Sequence, residues 1–154
     1  MSSYQATVRW LRGDGDFLGD DYSRGHIWSF DGGIEIPASA SPDIVPLPKS
    51  VAEAVDPEEA FVASLASCHM LFFLSLAAKR RIDVVSYVDT AVGYMEKDDS
   101  GRTFIAKVVL RPAAEYAGDS APAPETLEIL HHRAHELCFI ANSVKSHVVT
   151  EVVS

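Results

Sequence analysis

Two sulfurs and a cluster of imidazoles are the side chains of this sequence best suited to chemistry. Cys68 lies in the run Leu65-Ala-Ser-Cys68-His69-Met-Leu-Phe-Phe-Leu74, and Cys138 ends the segment His131-His-Arg-Ala-His135-Glu-Leu-Cys138. A lone thiol in so apolar a helix ordinarily packs as a small hydrophobe with an inert sulfur. Ser64, Ala66, Ser67 and His69 nevertheless leave room and polarity around Cys68, so a reactive thiol remains open beside the inert one. Cys138 falls where a helix opens into a loop, a mobile place suited to a thiol that must approach another. The two cysteines are 70 residues apart, and only folding can bring them together. Nucleophilic use of either sulfur requires a thiolate, and in apolar surroundings a thiolate requires a fixed cation to offset its desolvation.

The imidazoles offer a competing chemistry. His131 and His135 stand four residues apart, and His132, His135 and Cys138 follow at steps of three. Imidazole and thiolate on one helix face are plausible ligands for zinc or another transition metal. Three ligands on one helix rarely surround a metal unaided, so His69 would have to complete the set. His69 itself adjoins Cys68 but points about 100° away around a helix, and is no obvious base for that thiol.

The elements that must position these groups read as follows. Thr7–Leu11 is β-rich, Gly13–Asp16 is a turn, and His26–Phe30 alternates with period two. Asp31–Gly33 turns the chain back through Ile34–Ile36, and the four prolines of Pro37–Pro48 predict an extended loop. A helix then starts at Asp56, with Asp56 as cap, Pro57 in the first position and Glu59 closing an Asp-x-x-Glu box, and runs to about Arg81. Its centre is apolar on consecutive positions, which predicts burial on all sides and material contributed by a partner subunit. Val84–Glu96 and Arg102–Leu110 predict a hairpin about Lys97–Gly101, followed by a loop over Pro112–Pro124, a helix over Pro124–Leu137 and a last strand over His147–Val153. The class is α+β, with helices packed on an antiparallel sheet in a single domain spanning residues 1–154.

Composition narrows the partners. The 154 residues carry 13 Lys and Arg against 22 Asp and Glu, a net charge of −9, which repels nucleic acid and anionic lipid. The apolar run Phe61–Ala78 reaches the lower length limit for a membrane span, but Ser64, Ser67, His69 and Ser75 interrupt it. A buried helix of a cytoplasmic protein is the better expectation. In that reducing compartment a cysteine pair is chemical rather than structural.

The segment Asp56-Pro-Glu-Glu-Ala-Phe-Val-Ala-Ser-Leu-Ala-Ser-Cys68-His resembles the Asn/Asp-Pro-Glu-Glu…Cys helix of the OsmC/Ohr family, the osmotically inducible protein C and organic hydroperoxide resistance proteins. Cys138, after a second helix, looks like that family's other cysteine, and the likeness extends over nearly the whole chain. The resemblance implies antiparallel sheets packed on a long buried central helix in an intertwined homodimer. It implies a thiol-dependent peroxidase, with Cys68 as peroxidatic thiol, Cys138 as resolving thiol and a dithiol or lipoyl-type reductant; neither metal nor flavin cofactor is needed. Family members activate the thiol with an arginine positioned by a glutamate. Glu58 matches the motif glutamate, ten residues before Cys68, which is roughly 15 Å of straight helix. Either the helix breaks between them, or the other subunit supplies the glutamate. Arg24, in Tyr22-Ser-Arg-Gly-His26, is the expected arginine and Arg12 the second choice.

The chain departs from the family where many members read Cys-Pro-Val-Ser: here it is Cys138-Phe-Ile-Ala, without the stiffening proline. Leu71, Phe72, Phe73 and Leu74, with Phe139 and Ile140, could line an apolar entrance favouring organic hydroperoxides over hydrogen peroxide. The alternatives are a non-catalytic dimer that binds metal through the histidine-rich helix, and one that binds a hydrophobic ligand with both cysteines inert.

Overall fold

The computed structural model describes residues 1–153 as two compact units, Met1–Ala60 and the remainder from Phe61. In the first unit, β1 (Ala6–Arg9), β2 (His26–Phe30) and β3 (Glu35–Ala38) form an antiparallel sheet in that order. The β2–β3 turn closes through Gly33, whose φ of 90° a side chain would strain. Pro37, expected in a loop, belongs to β3. Its position on an edge strand asks no ladder N–H of it, and its carbonyl accepts the Val55 N–H at 3.1 Å.

Helix α1 (Pro57–Lys79) opens as its sequence predicts. The Glu59 N–H donates to Asp56 Oδ1 at 2.7 Å, and the Asp56 N–H to Glu59 Oε2 at 3.1 Å. Both arms of the capping box are therefore made. Along the helix the buried residues are Leu65, His69, Phe73 and Ala77, one row at four-residue spacing. The opposite row, Ala63, Ser67, Leu71, Ser75 and Ala78, is exposed, and Leu71 is 60% accessible. Burial on all sides is thus not achieved within one chain, which has apolar material for only one side of the helix. By length and composition α1 could cross a membrane, but its buried row is instead occupied by protein.

In the second unit, the expected strand Val84–Glu96 is two strands, β4 (Val84–Asp89) and β5 (Val92–Lys97). The expected loop after Pro112 begins with a strand, β7 (Pro112–Tyr116), which continues β6 (Thr103–Leu110) past Arg111. The hairpin is thus longer than predicted and bent. Its β5–β6 half joins β8 (His147–Thr150) in a three-stranded sheet, and its β4–β7 half stands as a separate pair. At the bend, Asp89 Oδ1 accepts the Arg111 N–H at 2.7 Å. β8 runs parallel to β6, not antiparallel, because β7 and helix α2 (Pro124–Leu137) carry the chain back before it pairs.

Two apolar clusters hold α1. Leu65 packs with Val108 and Leu110 on the β5–β6–β8 sheet, and Phe73 and Ala77 pack with Leu130 and Ala134 of α2. Cys68 sits on the helix between the residues anchored in these clusters.

Candidate active site

The fold brings the two cysteines into contact. Cys68, half-buried on α1, lies beside the buried thiol of Cys138, and both are reduced. Cys138 caps the C-terminus of α2, with its N–H donating to the His135 carbonyl at 3.3 Å. It is only 1% accessible. Burial pushes its thiol up to about 11, opposed by N–H groups of Ala141 and Ile140 directed at the sulfur, the former at 3.3 Å. The neighbouring Cys68 acts in the same direction as burial, favouring the protonated form of Cys138. The pair is therefore asymmetric: a protonated inner thiol beside an outer sulfur that solvent can reach.

The segment after α2 is better ordered than a mobile loop. Ala141–Ser143 form a 3₁₀ turn. The Asn142 N–H donates to the Cys138 carbonyl at 3.0 Å, Asn142 Nδ2 to the Glu136 carbonyl at 3.1 Å, and Ser143 Oγ to the Phe139 carbonyl at 2.7 Å. These bonds restrain Cys138 where the family's proline is missing. Ser64, expected to lend polarity to Cys68, spends its hydroxyl on the Phe61 carbonyl at 2.7 Å.

The residues expected at an apolar entrance divide. Phe73 is fully buried core and Leu74 packs against it, while Ile140 packs in the other cluster. Phe139, 70% accessible, meets Phe72 edge-on at 5.1 Å between centroids. Together with exposed Leu71, these rings are the apolar surface near the thiols in sequence.

Glu58 and Arg24 belong to the first unit. α1 is continuous from Pro57 to Lys79, so no break folds Glu58 back toward Cys68. Glu58 Oε2 is buried without a hydrogen-bond partner, an unusual state for a carboxylate. The Arg24 guanidinium donates to Asp20 Oδ1 at 2.6 Å and to the Tyr22 carbonyl at 2.7 Å, and lies 3.7 Å from the centre of the Tyr22 ring. With Trp10, Phe17, Tyr22, His26 and Pro57 it lines a cleft of about 370 Å³. Arg12 is exposed.

The histidines do not converge on a metal. Among the described residues no group of three or more His, Cys, Asp or Glu side chains is placed to hold one. His132 is exposed and pairs with Glu136 at 3.4 Å. His131 turns inward, its Nδ1 2.9 Å from His69 Nε2 with the two rings parallel within 5°, and it stacks on Phe73 at 4.4 Å. Desolvation by burial pushes both imidazoles down to about 4, with His131 and His135 adding to the effect on His69. Each is neutral near pH 7. Sequence reasoning brought His69 to this helix only as a metal ligand and missed the hydrogen-bonded pair, since 62 residues separate its members and nothing local signals the bond.

Solved structures and family models place this architecture. An OsmC-like protein of unknown function from Vibrio cholerae is similar at 56% identity, with 99% of this chain and 100% of that chain covered and a TM-score of 0.97. The organic hydroperoxide resistance protein OhrB of Bacillus subtilis is similar in fold, with 19% identity, coverage of 99% and 98%, and a TM-score of 0.68. An organic hydroperoxide resistance protein from Elizabethkingia anophelis gives 16%, 99%, 94% and 0.71 for the same quantities. No curated protein matches the chain. The family model described as OsmC-like protein matches residues 50–153, from before α1 to beyond β8. By that match and by its likeness over full length to the Vibrio cholerae protein, the chain belongs to the OsmC-like family.

Proposed function

We propose that the protein is a thiol-dependent peroxidase that reduces organic hydroperoxides, working as a cytoplasmic homodimer in which residues 1–154 act as one OsmC-like domain. The observation that carries this reading is the proximity of Cys68 to Cys138, near enough for the one sulfur to raise the pKa of the other. Their asymmetry supports distinct roles for the two sulfurs. Cys68 is the more accessible sulfur, and Cys138 keeps its proton, so Cys68 is the nucleophile. The Cys68 thiolate attacks the terminal oxygen of the hydroperoxide and the O–O bond breaks. An alkoxide leaves to take up a proton as the alcohol, and Cys68 becomes a sulfenic acid. The Cys138 sulfur then attacks the sulfenic sulfur, its proton departs with the hydroxyl as water, and a Cys68–Cys138 disulfide forms. A dithiol or lipoyl-type reductant returns both cysteines to thiols by exchange.

Arg24 supplies the cation that offsets desolvation of the thiolate, and Glu58 orients it. The reading is supported by Glu58 Oε2, a buried acceptor without a donor, and by the share of Arg24 in the cleft that also includes Pro57. Because α1 is unbroken, the partner subunit's Glu58 is the one that serves a given Cys68. The exposed row Ala63–Ser67–Leu71–Ser75–Ala78 supports dimerisation, since it is the side of α1 left without apolar cover. Exposed Phe139 and Leu71 favour alkyl and aryl hydroperoxides, at about 0.8 kcal/mol per methylene buried.

The test is thiol consumption by the purified protein with cumene hydroperoxide and dithiothreitol. Consumption that vanishes in Cys68→Ser supports the enzyme, and unchanged consumption rejects it. Cys138→Ser is expected to complete one turnover and then stop accepting electrons from the dithiol.

A further inference from the structure

We infer that the His69–His131 hydrogen bond positions Cys138 for disulfide closure, fixing the rotation of α2 against α1 two turns before the resolving thiol. The inference rests on the peroxidase reading and extends it to two residues that the reaction itself does not touch. Among the described residues this is the one side-chain hydrogen bond between the two helices. The helices also meet through an apolar cluster of Phe73, Ala77, Leu130, Ala134 and Leu127. Apolar burial is non-directional and leaves a helix free to roll by small angles. A hydrogen bond with its rings parallel within 5° is directional.

The spacing makes that restraint matter for the sulfur. Residues 131 and 138 are seven apart, so they share a face of α2 to within about 20°. A roll of about 20° carries a side-chain tip, about 5 Å from the axis, through roughly 2 Å. Two neighbouring thiols must close to about 2.0 Å to form a disulfide, and a shift of roughly 2 Å matters against so short a bond. The proton arrangement is determined by burial. His69 Nδ1 is buried without a partner, and a buried bare acceptor costs less than a buried orphan N–H. His69 Nε2–H therefore donates to His131 Nδ1, and the ring of His131 is held from its other side by the stack on Phe73.

The experiment separates attack from closure. His131→Phe and His69→Phe remove the bond but keep a ring, and His69→Gln keeps an amide nitrogen that can donate to His131. In single-turnover stopped flow with cumene hydroperoxide, both Phe variants are expected to form the sulfenic acid within about twofold of the wild-type rate. Closure should slow by tenfold or more, and His69→Gln should recover most of it. In glutathione redox buffer the same Phe variants should lower the effective concentration of the thiol pair by a similar factor. Closure and thiol–disulfide equilibrium both unchanged in folded Phe variants would overturn the inference. So would the lack of scalar coupling between His69 Nε2 and His131 Nδ1 in ¹⁵N-histidine spectra of the wild type, a measurement independent of any variant's folding. If wild-type protein forms no sulfenic acid, the peroxidase reading falls alone, because the glutathione equilibrium still reads the positioning effect.

Discussion

Acidification from pH 7 to pH 5 should destabilise this protein through its buried imidazole pair. His69 and His131 have pKa values pushed from 6.5 to about 4, in both cases chiefly by burial. The unfolded chain therefore binds more protons than the folded one, and stability falls as pH drops below about 6.5 and levels off below about 4. For a single group with these values the loss between pH 7 and pH 5 is about 2 kcal/mol, and about 4 kcal/mol for two independent groups. The window separates this effect from the carboxylates. Asp20, Asp98 and Glu136 are held below their ordinary values mainly by hydrogen bonds to Arg24, Ser100 and Arg133. The stability they contribute is lost only at lower pH. Burial raises Asp89, so its contribution has the opposite sign. Urea unfolding at pH 7, 6 and 5 measures the slope, with the double variant His69→Phe/His131→Phe as control. A wild-type stability that stays level, or that falls as steeply in the double variant, refutes the reasoning.

Three further outcomes can be measured directly. Iodoacetamide at pH 7.5 should label Cys68 well before Cys138, whose thiol is buried and raised to about 11; peptide mapping that finds Cys138 labelled first contradicts the assigned roles. Gly93→Ala would set a Cβ 2.7 Å from Val62 Cγ2 and 3.3 Å from Ile105 Cγ2. It should cost about 1–3 kcal/mol in a urea titration, in the range of overpacked cores. Asp56→Ala removes the acceptor of the Glu59 N–H at the start of α1 and should cost about 1 kcal/mol, read as a lower midpoint of thermal unfolding.

What the sequence determined by itself is what local chemistry decides. The Asp56–Pro57–Glu59 box needs no distant partner, and both of its hydrogen bonds form as the spacing predicts. The alternation of His26–Phe30 and the leucine pattern of Pro124–Leu137 place β2 and α2 residue for residue. The motif around Cys68 and the presence of Cys138 were enough to indicate the family. Tertiary structure decided whatever depends on chain distant in sequence. Pro112–Tyr116, two alanines and a proline among its five residues, becomes a strand because β4 supplies a ladder. β8 lies parallel to β6 because a strand and a helix intervene. His131 leaves the metal-like spacing of its helix because His69, brought in on another helix, offers a hydrogen bond in a site where water cannot. The contact of Cys68 with Cys138 is of the same kind. Residue types along a chain specify which groups can react, whereas the packing of two helices against shared apolar clusters sets which of them meet.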